Sequence, residues 1–317
     1  GLSRLAGAQL PLETQWFNVT TPDGRALEVM TVGDEGAFPL VFHHGTPSAA
    51  TPFARTADGA TRNGLRLIEF SRPGYAGSSP KPGRKVADVA ADVATILDAL
   101  GVDRFVAAGF SGGGPHAIAC AALLPERCAA VATIGSVAPY PAEGLDWLAG
   151  MGPENVEEFE RTLHGEAELV PYLLEVAGQL ASVEPDHVVA ALGGLVGEVD
   201  KAALTGDYAE WAADTFHRSV STGIAGWRDD DFAFATGWGF DLSSIRRPVA
   251  VWQGGDDRMV PFAHGEWLVR HIPTATAHLH PGEAHLSLTV TKLDQVLEDL
   301  VASAGDTLGS GYQTGPV

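Results

Sequence analysis

Gly109-Phe110-Ser111-Gly112-Gly113 decides how this chain folds. It stands between Arg104 to Ala108, an apolar run that reads as a β-strand, and Gly112 to Leu124, an alanine-rich stretch that reads as a helix stopped by Pro125. As a bare string G-x-S-x-G carries little, because glycine and serine are common. At a strand-to-helix junction it describes a turn so tight that side chains at Gly109 and Gly113 would strike the strand and helix that meet there. Ser111 is then held in strained backbone angles at a helix N-terminus, where free N–H groups and the helix dipole favour negative charge. A glycine-rich turn can instead cradle a phosphate. Here the lysine of a P-loop is missing, and Gly112-Gly113-Gly114 is only a loose echo of a dinucleotide motif. Ser111 is the candidate nucleophile.

Outward from this turn the pattern alternates. Trp16 to Thr20 and Ala26 to Met30 flank the turn residues Pro22-Asp23-Gly24 and predict a hairpin. Pro39 to His43 and Leu65 to Phe70 read as strands, Val86 to Leu100 as a helix ended by Gly101, and Ala129 to Ile134 as a strand. Later, Pro248 to Gln253 and Ala275 to Leu279 read as strands, with helices at Pro261 to His271 and Leu286 to Ala302. Strands alternating with helices predict an α/β fold: a mostly parallel, doubly wound sheet of about eight strands, covered on both faces, with the hairpin as antiparallel edge. Between Pro139 and Gly239 only helical patterns appear: Val156 to Leu163, Glu166 to Leu180, Asp186 to Leu195, Asp200 to Leu204 and Tyr208 to Ser221. The expected organisation is a core of residues 1–138 and 240–306, an inserted helical lid over 139–239, and a flexible tail at 307–317. Of the lid aromatics, Trp147, Tyr172, Tyr208, Trp211, Phe216, Trp227 and Trp238, most are expected in the lid core and about a quarter on a substrate pocket.

The 317 residues can bury a large core. With 40 acidic against 20 basic residues, the formal charge is −20, which argues against nucleic-acid and anionic-membrane partners. No apolar run is long enough for a membrane span, and no basic-then-apolar leader opens the chain. Cys120 and Cys128 read as two buried thiols rather than a disulfide or metal pair. The expected location is the cytoplasm.

A serine hydroxyl needs a base within hydrogen-bond reach, and the base needs its tautomer fixed. In a doubly wound sheet both come from loops at the carboxyl ends of later strands. His285, in Pro281-Gly282-Glu283-Ala284-His285, follows the last strand and opens the closing helix, so it is the candidate base; His280 is the runner-up. His264 and His271 are expected on a solvent-facing helix side, and His116 at a surface or packing position. Asp256 or Asp257, after the strand ending at Gln253, is placed to orient the base. The oxyanion needs two backbone donors. Gly112, next after the nucleophile, is one. Thr46, in His43-His44-Gly45-Thr46-Pro47 at the end of the third strand, is assigned as the other, with Gly45 letting the loop pass close to Ser111 and His44 bracing it. Ser71 to Ser78 is expected to shape the pocket floor.

Taken together, these segments resemble the α/β-hydrolase superfamily. His44-Gly45-Thr46-Pro47 is similar to its HG-x-P element, Ser71 to Ser78 to its D-x-R/P-G-x-G-x-S loop with Ser71 in place of Asp, and Gly109 to Gly113 to its nucleophile elbow. Gly254 to Pro261 is similar to G-x-x-D-x-x-V-P, which puts the acid on Asp257, and Gly282 to His285 to G-x-x-H. The nearest look is that of lidded serine esterases and proline-iminopeptidase-like enzymes. The resemblance implies cleavage of a carboxylic ester or related acyl bond of a small molecule, without metal or organic cofactor. A serine here argues against epoxide hydrolases and dehalogenases, which use aspartate. Aminopeptidase, lactonase, perhydrolase and C–C hydrolase activities share the triad, and a ligand-binding receptor can keep the fold without turnover. Aminopeptidases hold the substrate ammonium with lid carboxylates; Glu154, Glu157, Glu158 and Glu160 are available but are expected to form a solvated helix face.

Overall fold

The computed structural model describes residues 13–305; the tail expected at 307–317 lies outside them. Eight strands form one sheet in the order β1-β2-β4-β3-β5-β6-β7-β8. β1 (Thr14–Thr20) and β2 (Ala26–Val32) are an antiparallel hairpin, and β2 pairs antiparallel with β4 (Leu65–Phe70). From β4 onward every pairing is parallel, through β3 (Phe38–His43), β5 (Phe105–Phe110), β6 (Cys128–Ile134), β7 (Val249–Gly254) and β8 (Ala275–His280). The expected eight-stranded, doubly wound sheet is present.

Helices α1 (Ala54–Arg62), α2 (Val89–Leu100) and α3 (Gly114–Leu123) belong to the crossovers of the first half, α10 (Phe262–His271) to the crossover from β7 to β8, and α11 (Ser287–Ala304) follows the last strand. Between β6 and β7 run α4 (Pro153–His164), α5 (Glu166–Leu180), α6 (Val188–Leu192), α7 (Glu198–Ala203), α8 (Gly206–Ser219) and α9 (Ala225–Ala235). Strand side chains alternate between faces, because successive Cβ atoms point to opposite sides. Val41, Ile68, Ala107 and Val131 pack on one face with α2, α3 and α10. Leu40, Leu67, Val106 and Ala108 pack on the other with α1 and α11. A strand buried on both sides reads as a continuous apolar run, which is how β5 and β6 appear in the sequence.

The two cysteines are free and buried. Among the described residues, no helix is long and apolar enough to cross a membrane. The parallel arrangement puts the carboxyl ends of β3, β5, β6, β7 and β8 on one rim, the rim at which ligands bind in open α/β sheets.

Candidate active site

Ser111 sits where β5 turns into α3, and its φ is +54°, in the left-handed region that side chains avoid. Such strain persists only where the surroundings dictate it, and here they are packed backbone. A Cβ on Gly109 would run into the Gly113 carbonyl, and a Cβ on Gly113 into the carbonyls of His43 and His44 at the end of β3. The two glycines let strand, turn and helix close on one another, as the sequence predicts.

Asp257 and His285 come from the loops after β7 and β8. The His285 Nδ1–H donates to Oδ2 of Asp257 at 2.6 Å, and both side chains are buried. Oδ1 of Asp257 accepts from the backbone N–H groups of Met259 and Val260 at 2.9 and 2.8 Å. The carboxylate is thus held by its own loop and aimed at the ring, which leaves Nε2 as the acceptor of the neutral imidazole. Burial opposes a positive charge on His285. The facing Asp257 carboxylate, with Asp200 behind it, outweighs that penalty and holds the imidazole above its ordinary value. Asp256, by contrast, is half-buried and lies 3.9 Å from Arg258. His285 and Ser111 line the same cavity. No hydrogen bond joins them among the described residues; in ligand-free sites such bonds are often long and tighten only with substrate.

The loop after β3 passes over Ser111. A Cβ on Gly45 would meet the Ser111 Cβ at 3.5 Å, an ordinary contact, so the close approach is present but does not by itself demand glycine. A Cβ on Gly112 would run into the Thr46 hydroxyl, which places these two residues side by side. Among the described residues the Thr46 N–H donates to no protein group. His44 braces the loop. Its Nε2 accepts from the Arg72 backbone N–H at 3.0 Å, so Nδ1 carries the proton and donates to the Gly45 carbonyl at 2.7 Å. Burial, reinforced by Arg72, keeps this ring neutral well below its usual range.

Beneath the loop lies an ion network that sequence reasoning missed. Asp230 of α9 is fully buried, and its carboxylate accepts from Thr46 Oγ1 at 2.6 Å, Arg72 Nη2 at 2.6 Å, Arg84 Nη1 at 2.8 Å and the Tyr75 hydroxyl at 2.8 Å. Arg72 also donates to the His44 and Gly45 carbonyls. Burial would raise the Asp230 carboxyl, but the two guanidinium groups hold it well below the carboxylate range. One aspartate between β6 and β7 therefore ties the oxyanion-loop candidate to two arginines of the core. The only signal in the sequence was Asp229-Asp230-Asp231 itself, a run that reads as solvated.

The fold has counterparts among known proteins. The family model for the alpha/beta hydrolase fold matches residues 39–289. The chain belongs to the alpha/beta hydrolase family. This α/β-hydrolase is 29% identical over 248 residues to a non-heme chloroperoxidase of Streptomyces lividans, across 77% of this chain and 83% of that protein. It is 27% identical to a 2-hydroxy-6-oxononadienedioate/2-hydroxy-6-oxononatrienedioate hydrolase of Burkholderia vietnamiensis, across 76% of this chain and 78% of that protein. An esterase from Rhodococcus sp. ECU1013 shares the fold with a TM-score of 0.64 at 21% identity, over 93% of this chain and 100% of that one.

The α/β-hydrolase cavity measures about 230 Å³ and carries Ser111, Gly112, Thr46 and His285 on its wall. Tyr172, Tyr208, Trp211, Phe216 and Trp227 line it as well, five of the seven aromatics named from the sequence, so more of them face the pocket than the quarter expected, while all seven also pack in or against the hydrophobic clusters. Those five face inward because the cavity is the apolar space they enclose. Trp147 instead donates to the Ala138 carbonyl, and Trp238 is buried. Ser71 to Ser78 do not line the cavity. They lie under the loop after β3, where Arg72 and Tyr75 hold Asp230 and Ser71 donates to Glu28.

Two further expectations are overturned by packing. His264 is buried, with Nδ1 accepting from the Ala138 N–H and Nε2 donating to the Trp147 carbonyl, so it joins α10 to the segment after β6. Glu158 is not on a solvated face: it is 9% exposed and lines the cavity beside Asp231. Burial, then the neighbouring Glu158 charge, pushes the Asp231 carboxyl well above its usual range. Neither Asp231 oxygen accepts from any N–H or hydroxyl group of the described residues. His116 is a packing residue that donates to the Gly112 carbonyl, His271 is exposed, and His280 stacks near Trp252 away from the cavity. Among the described residues no three His, Cys, Asp or Glu side chains are grouped to hold a metal ion.

Proposed function

We propose that the protein is a serine hydrolase that cleaves a carboxylic ester, or a related acyl bond, of a small molecule through an acyl-enzyme. The observation that carries this reading is the meeting, in one aromatic-lined cavity, of a serine at a strained strand-to-helix turn and a buried Asp257–His285 pair. His285 Nε2 takes the proton of the Ser111 hydroxyl as it attacks the carbonyl carbon, and Asp257 stabilises the imidazolium. The N–H groups of Gly112 and Thr46 receive the oxyanion. The imidazolium protonates the departing alcohol; His285 then activates water, which releases the acid and restores Ser111. Residues 139–239 serve as the lid that closes the acyl pocket.

A second reading is favoured by Asp231, which faces the cavity with two oxygens that no donor among the described residues serves, beside Glu158, whose Oε2 accepts from Trp227 Nε1 at 3.4 Å. On this reading the substrate carries a protonated amine, as in an aminopeptidase of the proline-iminopeptidase type. The test is a screen of p-nitrophenyl esters by chain length beside a proline arylamide and a lactone, with the Ser111→Ala variant in parallel. Ester turnover that falls roughly 10⁴-fold in the variant is the expected result. Undiminished hydrolysis by the variant would overturn the assignment, and no turnover with no fluorophosphonate labelling of Ser111 would favour a binding protein.

A further inference from the structure

Asp200 lies on α7, in the helical segment between β6 and β7, and only 1% of it is exposed. Its carboxylate does not serve its own helix. Oδ2 accepts from the His285 backbone N–H at 3.1 Å, and Oδ1 accepts from the Leu286 and Ser287 N–H groups at 2.9 and 3.0 Å. These are the donors that open α11. The first N–H groups of a helix have no partner within it, and a Ser, Thr, Asp or Asn at the cap position normally supplies one. Here the cap position is Leu286, which has no side-chain acceptor, and the acceptor arrives from 85 residues away.

We propose that Asp200 is the positioning residue of His285: its carboxylate fixes the backbone that carries the imidazole and sets a second negative charge behind the ring. This rests on His285 being the base. The neighbours leave that charge largely unopposed. Asp257 faces the ring from the loop after β7, and the Tyr208 hydroxyl of α8 is bonded to Thr289. Lys201 and Glu198 pair with each other in solvent, Arg258 lies against Gly197 at the entrance to α7, and Glu283 accepts from Thr291. The buried counter-charge open to Asp200 is the imidazolium. Because Asp200 is on the segment that covers the cavity, the base is in place only while α7 is seated, so seating of that segment and readiness of the base are one event.

The experiment compares wild type, Asp200→Asn, Asp200→Glu and Ser111→Ala on a p-nitrophenyl ester, as full chains, across pH. Asparagine keeps one oxygen for the amides of α11 and removes the charge. The expected result is a kcat about tenfold lower with KM within about twofold, and an acid limb of kcat/KM displaced downward by roughly half a pH unit. Asp200→Glu, which keeps the charge, should hold the limb at the wild-type position while lowering kcat. A helix cap that served folding alone would lower the thermal midpoint and leave the limb where it was, and that outcome overturns the proposal. Should Asp200→Asn not fold, Asp200→Glu decides: a fixed limb with reduced kcat supports it, whereas wild-type kcat or a displaced limb overturns it. Ser111→Ala separates the two levels. If that variant is inactive and Asp200→Asn is indistinguishable from wild type, only the role of Asp200 falls; if Ser111→Ala still turns over, both fall.

Discussion

The Asp257 carboxylate lies 2.6 Å from Nδ1 of His285, sealed from solvent, while Asp256 one residue earlier points outward. Asp257→Asn should reverse the hydrogen-bond preference of Nδ1 and cost kcat about 10⁴-fold. Asp256→Asn should stay within about twofold of wild type. Steady-state kinetics of the two variants checks this, and equal losses would contradict the pairing.

The pH profile follows from the same contact. The neutral imidazole is the active form of a base. Although burial disfavours its charge, Asp257 and Asp200 hold His285 above the ordinary 6.5, so the active form appears at higher pH than for a free histidine. The acid limb of kcat/KM should therefore centre above 6.5 and move down in Asp257→Asn. A limb below 6.5 in the wild type would show that burial, not the carboxylates, prevails.

Asp230 should be worth more to stability than any surface ion pair. It is the shared partner of Arg72 and Arg84 in a site without solvent. Asp230→Asn leaves two buried guanidinium groups without their counter-charge, and the expected loss is about 3–5 kcal/mol in denaturant unfolding. Thr46→Val removes one donor to Asp230 and one acceptor for Arg72, leaves the ion pairs intact, and should cost about 1–2 kcal/mol. A loss below about 1 kcal/mol in Asp230→Asn would mean the arginines find other partners.

Glycine matters unequally around Ser111. Gly113→Ala drives a methyl group into the β3 carbonyls and should destabilise by about 3 kcal/mol, with loss of activity. Gly45→Ala meets only ordinary contacts and should change stability by less than about 1 kcal/mol. Thermal midpoints of the two variants give the comparison.

Glu158→Gln and Asp231→Asn discriminate between the two substrate readings. If the substrate carries a cation, KM for a proline arylamide should rise about tenfold while a neutral ester is affected by less than about twofold. Equal effects on both substrates would remove the second reading.

Most of the sheet was legible in the sequence because its inner strands are buried on both faces and bounded by turn residues, so β3 to β7 stand out as runs, while the edge strand β8, half exposed, is marked mainly by its place between two helices. The elbow and the Asp257–His285 pair were legible because each lies just past a strand end. What escaped was structure held by small or charged residues. Helix α1 buries Ala57, Gly59 and Ala60, too small to make an apolar period visible. Helix α9 buries Asp229, Asp230 and Asp231 in succession, a composition that reads as loop until each carboxylate has found its own surroundings. His264 and Glu158 were misread for the same reason: polarity predicts exposure unless a partner across the fold is known, and nothing local in the sequence names that partner.

Those three consecutive aspartates point three ways: Asp229 toward Arg228, Asp230 down to the arginines under Thr46, and Asp231 into the cavity. Successive helical positions differ by about 100°, so a single inserted or deleted residue in the approach to α9 would hand the arginines the wrong carboxylate. Segments exchanged between members of this fold would have to arrive in phase here, whatever liberty their other helices enjoy.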